Sequence, residues 1–283
     1  MREKELLIVT GATGGLGKAI SMYFASLAVE DRTLYPILCC RNKDKADDLR
    51  EYVEPLGLSR SDYEIFLTDL SSTTSVNELA LRIKSLHMPI RVLVNNAGSM
   101  FGSYQTNAEG IEMSMAVNFY SSARLTEMLT VDMAPEGSII NVVSLVRKYT
   151  DIDSDFLKGY PNSYTRINHY AKSKLALSIF TAHMAERYPN LYINAVDPGV
   201  MNTKMLKMDR WYDRLADYLF RPFTLQPYQS LGAVMAACEN TDGVSGCVFT
   251  KSKYFPMENK IKNHPLKHLI LATICNSVEL VTY

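Results

Sequence analysis

Tyr170 and Lys174 stand four apart in Tyr170-Ala171-Lys172-Ser173-Lys174. On a helix that spacing shares one face, so a phenol and an ammonium can address the same bound molecule. A free phenol ionises near pH 10 (roughly) and is a poor acid–base group at neutral pH. A neighbouring ammonium favours the phenolate and lowers that value. With 17 tyrosines in the chain, the spacing alone is unspecific, so its place in the fold has to carry the reading.

Two further polar residues fall where such chemistry needs them. Ser144 follows the apolar run Ser138–Val143, which reads as a strand. Its hydroxyl either holds a substrate oxygen beside Tyr170 or simply caps a turn. Asn118 lies inside the helical segment Gly110–Leu129, where asparagine is unfavourable. Either it kinks that helix and holds a water that relays protons from Lys174, or it is an exposed helix asparagine.

The first apolar run, Leu6–Thr10, leads directly into Gly11-Ala12-Thr13-Gly14-Gly15-Leu16-Gly17 and then into a helical segment. Gly11 lets the chain turn sharply, Gly15 admits a pyrophosphate close to the backbone, and Gly17 lets helix and strand approach. The helix N-terminus offers free N–H groups and positive dipole to phosphates. A dinucleotide is therefore expected here, and the positive ring of an oxidised nicotinamide would add to the pull of Lys174 on Tyr170. A drop of about three pKa units corresponds to roughly 4 kcal/mol, a reasonable demand on two close charges in a partly desolvated cleft.

After the second strand the chain reads Cys39-Cys40-Arg41-Asn42-Lys43, with no acid to bond a ribose 2′-hydroxyl. Arg41 can clamp a 2′-phosphate with its guanidinium fork, so NADP(H) is expected over NAD(H). Asp69-Leu70 closes the third strand, and the carboxylate either accepts from the adenine amino group or caps the next helix. Asn95-Asn96-Ala97-Gly98 closes the fourth, with small residues beside the cofactor ribose and amides able to tie strands together. Pro198-Gly199-Val200-Met201-Asn202-Thr203 follows the sixth strand, where backbone and Thr203 can bond a carboxamide or form a plain turn.

The elements that position these residues alternate. Leu6–Thr10, Leu34–Cys40, Glu64–Leu67, Arg91–Val94, Ser138–Val143, Tyr192–Val196 and Cys247–Thr250 read as strands. Leu16–Leu27, Lys43–Glu54, Val76–Leu86, Gly110–Leu129 and Ser173–Glu186 read as helices, and His264–Val281 as a terminal helix. This alternation predicts an α/β chain with a parallel sheet and right-handed crossovers, in one domain over residues 1–283.

Hydrophobic residues at 47% and charged residues at 21% suit a globular protein, and 30 basic residues balance 30 acidic ones. Nucleic acid and anionic membrane are not expected as partners. The five cysteines form no CxxC pair, and no apolar run is long enough for a membrane span, so a reduced, cytoplasmic chain is expected. His264 and His268 lack a third ligand, and no metal site is expected.

Together these residues resemble the short-chain dehydrogenase/reductase family. The matching motifs are TGxxxGxG (Thr10–Gly17), NNAG (Asn95–Gly98), Asn118, Ser144, YxxxK (Tyr170, Lys174) and PGxxxT (Pro198–Thr203). Cys39-Cys40-Arg41-Asn42, Ser173-Lys174-Leu175-Ala176 and Asp197-Pro198-Gly199-Val200 look like its retinol-dehydrogenase-like branch. The resemblance implies a Rossmann-type doubly wound sheet of seven parallel strands in the order 3-2-1-4-5-6-7. It also implies catalytic Asn118, Ser144, Tyr170 and Lys174, with the cofactor held by Gly11, Thr13, Gly14, Gly15, Leu16, Gly17, Arg41, Asn42, Asp69, Leu70, Asn95, Asn96, Ala97, Gly98, Tyr170, Lys174, Pro198, Gly199, Val200 and Thr203.

Residues 201–226, rich in Met, Phe, Trp and Tyr, form either a substrate lid or a core or subunit-interface surface. A lid of that composition suits a steroid, retinoid or lipid carbonyl. The expected activity is NADP(H)-dependent interconversion of a small-molecule alcohol and carbonyl, by a homodimer or homotetramer. The alternatives are an idle NADP(H)-sensing module and an epimerase or dehydratase on the same scaffold.

Overall fold

Alternate residues of a strand face opposite ways, so a strand covered on both faces is apolar throughout. Strand β1 (Glu5–Thr10) shows this directly. Leu6 and Ile8 join the core on one face of the sheet, and Leu7 and Val9 join the core on the other. The computed structural model describes residues 4–199, 227–251 and 253–279.

The strands are β1, β2 (Leu34–Cys40), β3 (Glu64–Leu67), β4 (Ile90–Asn95), β5 (Met133–Val142), β6 (Tyr192–Val196), β7 (Cys247–Thr250) and β8 (Lys253–Pro256). They form one eight-stranded sheet in the order β3-β2-β1-β4-β5-β6-β7-β8. The first seven are parallel in the expected order, and β8 is added antiparallel to β7. Its exposed lysine and proline suit the edge position, where they discourage further strand pairing.

Helices α1 (Gly15–Glu30) and α2 (Lys43–Val53) cover one face together with helix Pro227–Glu239. Helices α3 (Thr73–Lys84), α5 (Ser121–Leu129) and α6 (Arg166–Arg187) cover the other, and Ile270 and Ile274 of helix Lys267–Glu279 pack into the same core. The chain winds outward from β1 to β3 and returns beside β1 as β4. That reversal opens a crevice at the carboxyl ends of β1 and β4, where ligands of such sheets bind.

Three helices differ from the sequence expectation. The segment Gly110–Leu129 begins as the short helix α4 (Met113–Met115), passes through a π-helical turn at Ala116–Tyr120, and continues as α5. Asn118 lies in that wider turn, where its amide serves neighbouring segments. Helix α6 begins at Arg166 rather than Ser173, because its first turns face a cleft and carry no apolar stripe. The terminal helix begins at Lys267, and 280–281 lie outside the described residues. Among the described residues no helix is long and apolar enough to cross a membrane.

Candidate active site

One cleft of about 1870 Å³ runs along the carboxyl edge of the sheet, from the glycine turn to Tyr170 and Lys174. A single small-ligand pocket is typically about 300–1,000 Å³, so there is space for a dinucleotide and a second molecule.

At one end the cleft is built from backbone. Gly11 has φ +67°, a left-handed conformation that favours glycine, and a Cβ there would lie 2.9 Å from the Ala97 Cα. A Cβ on Gly17 would collide with the Gly11 carbonyl oxygen. The turn is held by Asn96, whose Nδ2 donates to the Thr10 carbonyl at 2.9 Å, and by the Ala97 N–H, which donates to Thr10 Oγ1 at 3.1 Å. Gly14 caps α1 without any side-chain bond, which leaves the helix N-terminus able to receive an anion. Gly11, Thr13, Gly14, Gly15, Leu16 and Gly17 all line the cleft.

Arg41 lines it too, together with Lys18 and Lys45, which the sequence reading did not single out. Asn42 is engaged locally: its side chain caps α2 by accepting from the Lys45 N–H at 2.9 Å. Asp69 and Leu70 line the cleft. Asp69 Oδ1 accepts from the Ser71 N–H and hydroxyl, while Ser72 is the residue that caps α3, so the helix-cap alternative for Asp69 falls away.

Asn95 departs from its expected place beside the cofactor. It is fully buried, and its Nδ2 donates at 2.8 Å both to Thr126 Oγ1 and to Asn141 Oδ1. Asn141 donates in turn to Thr181 Oγ1 at 2.9 Å. This chain of bonds joins β4 and β5 to α5 and α6 beneath the cleft, which is the strand-tying use of the amide. Asn96, Ala97 and Gly98 do line the cleft.

The other end is built from side chains. The Lys174 ammonium is buried, donates to the Val142 carbonyl at 2.7 Å and lies 5.9 Å from the centroid of the Tyr170 ring. A Cβ on Gly98 would stand 3.3 Å from Lys174 Nζ and 3.5 Å from Asn118 Oδ1, so glycine leaves space between them. The Asn118 amide accepts from the Ser99 N–H at 2.7 Å and donates to the Ser99 carbonyl at 2.9 Å and the Ser173 hydroxyl at 3.0 Å. It is fully buried rather than an exposed helix asparagine. Ser144 precedes the short helix Leu145–Tyr149 without capping it, and its hydroxyl bonds the Tyr170 phenol instead.

The chain's own groups set the starting point of both side chains. Burial pushes the Tyr170 phenol up to about 12, against the opposing pull of the Ser144 hydroxyl, and the Asp197 carboxylate adds to the rise. Burial alone lowers Lys174 to about 8. The chain's own groups thus raise the phenol, because desolvation outweighs the hydrogen bond with Ser144. A lower value would require a further positive charge in the cleft.

Pro198 and Gly199 border this end, and the Gly199 N–H donates to Asp197 Oδ1 at 3.1 Å. Val200, Thr203 and the aromatic and methionine-rich 201–226 lie outside the described residues. His264 is engaged by Asp151, with Nε2 2.9 Å from Oδ1.

An α/β protein with a doubly wound sheet and a cleft along its carboxyl edge is the class this arrangement defines. The family model described as short chain dehydrogenase matches residues 5–212, and the chain belongs to that family. Within it, the chain groups with the retinol-dehydrogenase-like branch. It is 30% identical over 228 residues to a polyprenol dehydrogenase of Homo sapiens, covering 77% of this chain and 67% of that protein. It is 31% identical over 203 residues to retinol dehydrogenase 13 of Homo sapiens, covering 70% of this chain and 60% of that protein. The chain thus spans about three fifths to two thirds of the length of these relatives.

Its fold is that of a short chain dehydrogenase from Burkholderia cenocepacia J2315 in complex with NADP (TM-score 0.67, 19% identity, 87% of this chain and 95% of that one). It is also that of L-sorbose reductase from Gluconobacter frateurii complexed with NADPH and L-sorbose (TM-score 0.67, 20% identity, 88% and 95%).

Proposed function

We propose that this chain is an NADP(H)-dependent oxidoreductase that interconverts an alcohol and a carbonyl on a bulky, lipophilic small molecule. The observation that carries this is the convergence of the Ser144 hydroxyl, the Tyr170 phenol and the buried Lys174 ammonium in the same cleft as the uncapped α1 N-terminus.

The residues present fit a dinucleotide. Glycines at 11 and 17 let the turn pack against Ala97, Asn96 and its own backbone and so hold the α1 N-terminus where pyrophosphate would approach, and Arg41 with Lys45 supplies cations where a 2′-phosphate would lie. When bound, the nicotinamide supplies or accepts the hydride. In the reductive direction, Tyr170 donates its proton to the substrate oxygen and Ser144 orients that oxygen by hydrogen bonding. Lys174 would hold the ribose of a bound cofactor and contributes positive charge on the face of the Tyr170 ring. Asn118 holds the Ser99 and Ser173 segments around Lys174, next to the path a relayed proton would take.

A lipophilic substrate is supported by the apolar side chains at the cleft mouth. Leu145, Tyr149, Ile167 and Phe255 line it yet are 46%, 81%, 54% and 55% exposed. Human relatives described as polyprenol and retinol dehydrogenases point the same way.

The test is NADPH oxidation followed by absorbance against steroid, retinoid, polyprenal and short aliphatic carbonyls, with NADH in parallel. Tyr170→Phe is expected to lower kcat by about 10³-fold or more while dinucleotide affinity stays within about twofold. NADPH binding without turnover of any carbonyl or alcohol by the wild-type chain would overturn the enzymatic reading in favour of a sensor.

A further inference from the structure

Arg147 is one of the largest fully buried side chains, and it sits three residues after Ser144. A guanidinium cannot shed its proton, so burying one is costly unless carboxylates and acceptors surround it. Its Nη2 lies 3.3 Å from both carboxylate oxygens of Glu258, and its Nη1 lies 3.9 Å from Asp197 Oδ2. The Arg147 N–H also donates to the Ser144 carbonyl at 3.1 Å. Nε finds no partner among the described residues.

These contacts come from three separate segments of one cleft wall. Arg147 belongs to the connection after β5 that starts at Ser144, Asp197 closes β6 and holds the Gly199 N–H, and Glu258 follows β8. All three line the cleft. The charged and titratable groups at this end are Arg166, Tyr170 and Lys174 on α6, Arg147, Lys148 and Tyr149 after β5, Asp197 after β6 and Glu258 after β8. Lys148 pairs with Glu258 at 2.7 Å. Asp197 and Tyr170 line this same end of the cleft, and the carboxylate raises the phenol.

We propose that Arg147 is a positioning residue for the reaction: it clamps the Ser144 loop, the Asp197-Pro198-Gly199 turn and Glu258 together, and it keeps the Asp197 charge from bearing fully on Tyr170. This rests on the oxidoreductase reading for its consequence in turnover, though the clamp itself does not. With Arg147 gone, an uncompensated carboxylate would face the phenol and disfavour phenolate, the form that accepts the alcohol proton in oxidation.

Two measurements test it. The first needs neither substrate nor cofactor. Burial works against ionised Glu258, yet Lys148 and Arg147 hold its carboxyl below the usual range. A depressed carboxylate stabilises the fold above its unfolded pKa, and that contribution disappears as pH falls through the folded value. The Tm gap between wild type and Arg147→Met is therefore expected to be widest near neutral pH and to narrow below about pH 4. A gap of equal size at both would mean that Arg147 only fills space, and would overturn the clamp.

The second is the pH profile of kcat/KM for alcohol oxidation. Arg147→Met is expected to move the rising limb up by about one unit, a loss of about tenfold below the limb that is recovered at higher pH. Asp197→Asn in the same chain should move it back, and Asp197→Asn alone should move it down from wild type. A limb that stays in place in all three variants would overturn the charge-shielding role. If the wild type turns over nothing, the functional reading fails while the Tm comparison still decides the clamp.

Discussion

The two ends of the cleft are made of different material. At the glycine turn the shaping is done by backbone and by the absence of side chains: Gly11, Gly17 and an uncapped helix start, tied down by Asn96 and Thr10. At the Tyr170 end it is done by polar and charged side chains from separate segments: the half-buried Ser144 and the buried Asn118, Lys174, Arg147 and Asp197. The first kind of site tolerates almost no added atom. The second tolerates change in shape but is sensitive to charge, since each buried ion sits in a poorly solvated environment.

This contrast can be broken from either side. The largest effect is expected at the backbone end. Gly17→Ala places a Cβ into the Gly11 carbonyl and 2.8 Å from Asn96 Nδ2, so the turn has to move. Dinucleotide affinity should fall by about 100-fold or more, and stability by about 1–3 kcal/mol, read by fluorescence titration and thermal melts. Unchanged affinity would show that the turn adapts as freely as the side-chain end.

A smaller effect, with a pH signature, is expected at Lys174. Its folded pKa of about 8 lies below the ordinary 10.5, so the unfolded chain holds more protons between those values. Stability therefore rises with pH across that window, as the cost of burying the ammonium is relieved. Lys174→Met lacks this response. Relative to wild type, the variant should be most favoured below about pH 8 and lose about 3 kcal/mol of that advantage by about pH 10.5, read from denaturation midpoints. A pH-independent difference would place Lys174 with the neutral packing residues.

The smallest effect is expected at Arg41, which is exposed at the rim of the nucleotide end. Arg41→Ala should reduce the preference for NADPH over NADH by about tenfold, with Lys45 and Lys18 remaining at the same rim. An unaltered preference would move discrimination to those lysines.

The same contrast explains what was legible beforehand. Strand–glycine turn–helix is a local pattern, and Gly11–Gly17 with the continuous apolar strands indicates a parallel sheet and the nucleotide end, whereas the order of the strands follows from the family resemblance. Tyr170 and Lys174 were legible because helical spacing puts them on one face. Strand β8 was not, since four exposed residues carry no alternation to read. The inward turn of Asn95 is not legible either, because a motif gives residue order but not which way a side chain faces. Asp197 and Arg147 were passed over as catalytic-end residues: 50 positions separate them, and no period links residues brought together by adjacent strand ends.

By itself, then, the order of residues determined the alternation of elements, the phosphate-binding turn and the shared face of Tyr170 and Lys174, because each depends on neighbours within a few positions. Tertiary structure decided the protonation balance. The depth of Tyr170 and Lys174 in the cleft, the inward turn of Asn95 and the approach of Arg147 to Asp197 and Glu258 depend on segments that meet only when the sheet is assembled. Charge and desolvation act through distance in space, which sequence separation does not encode.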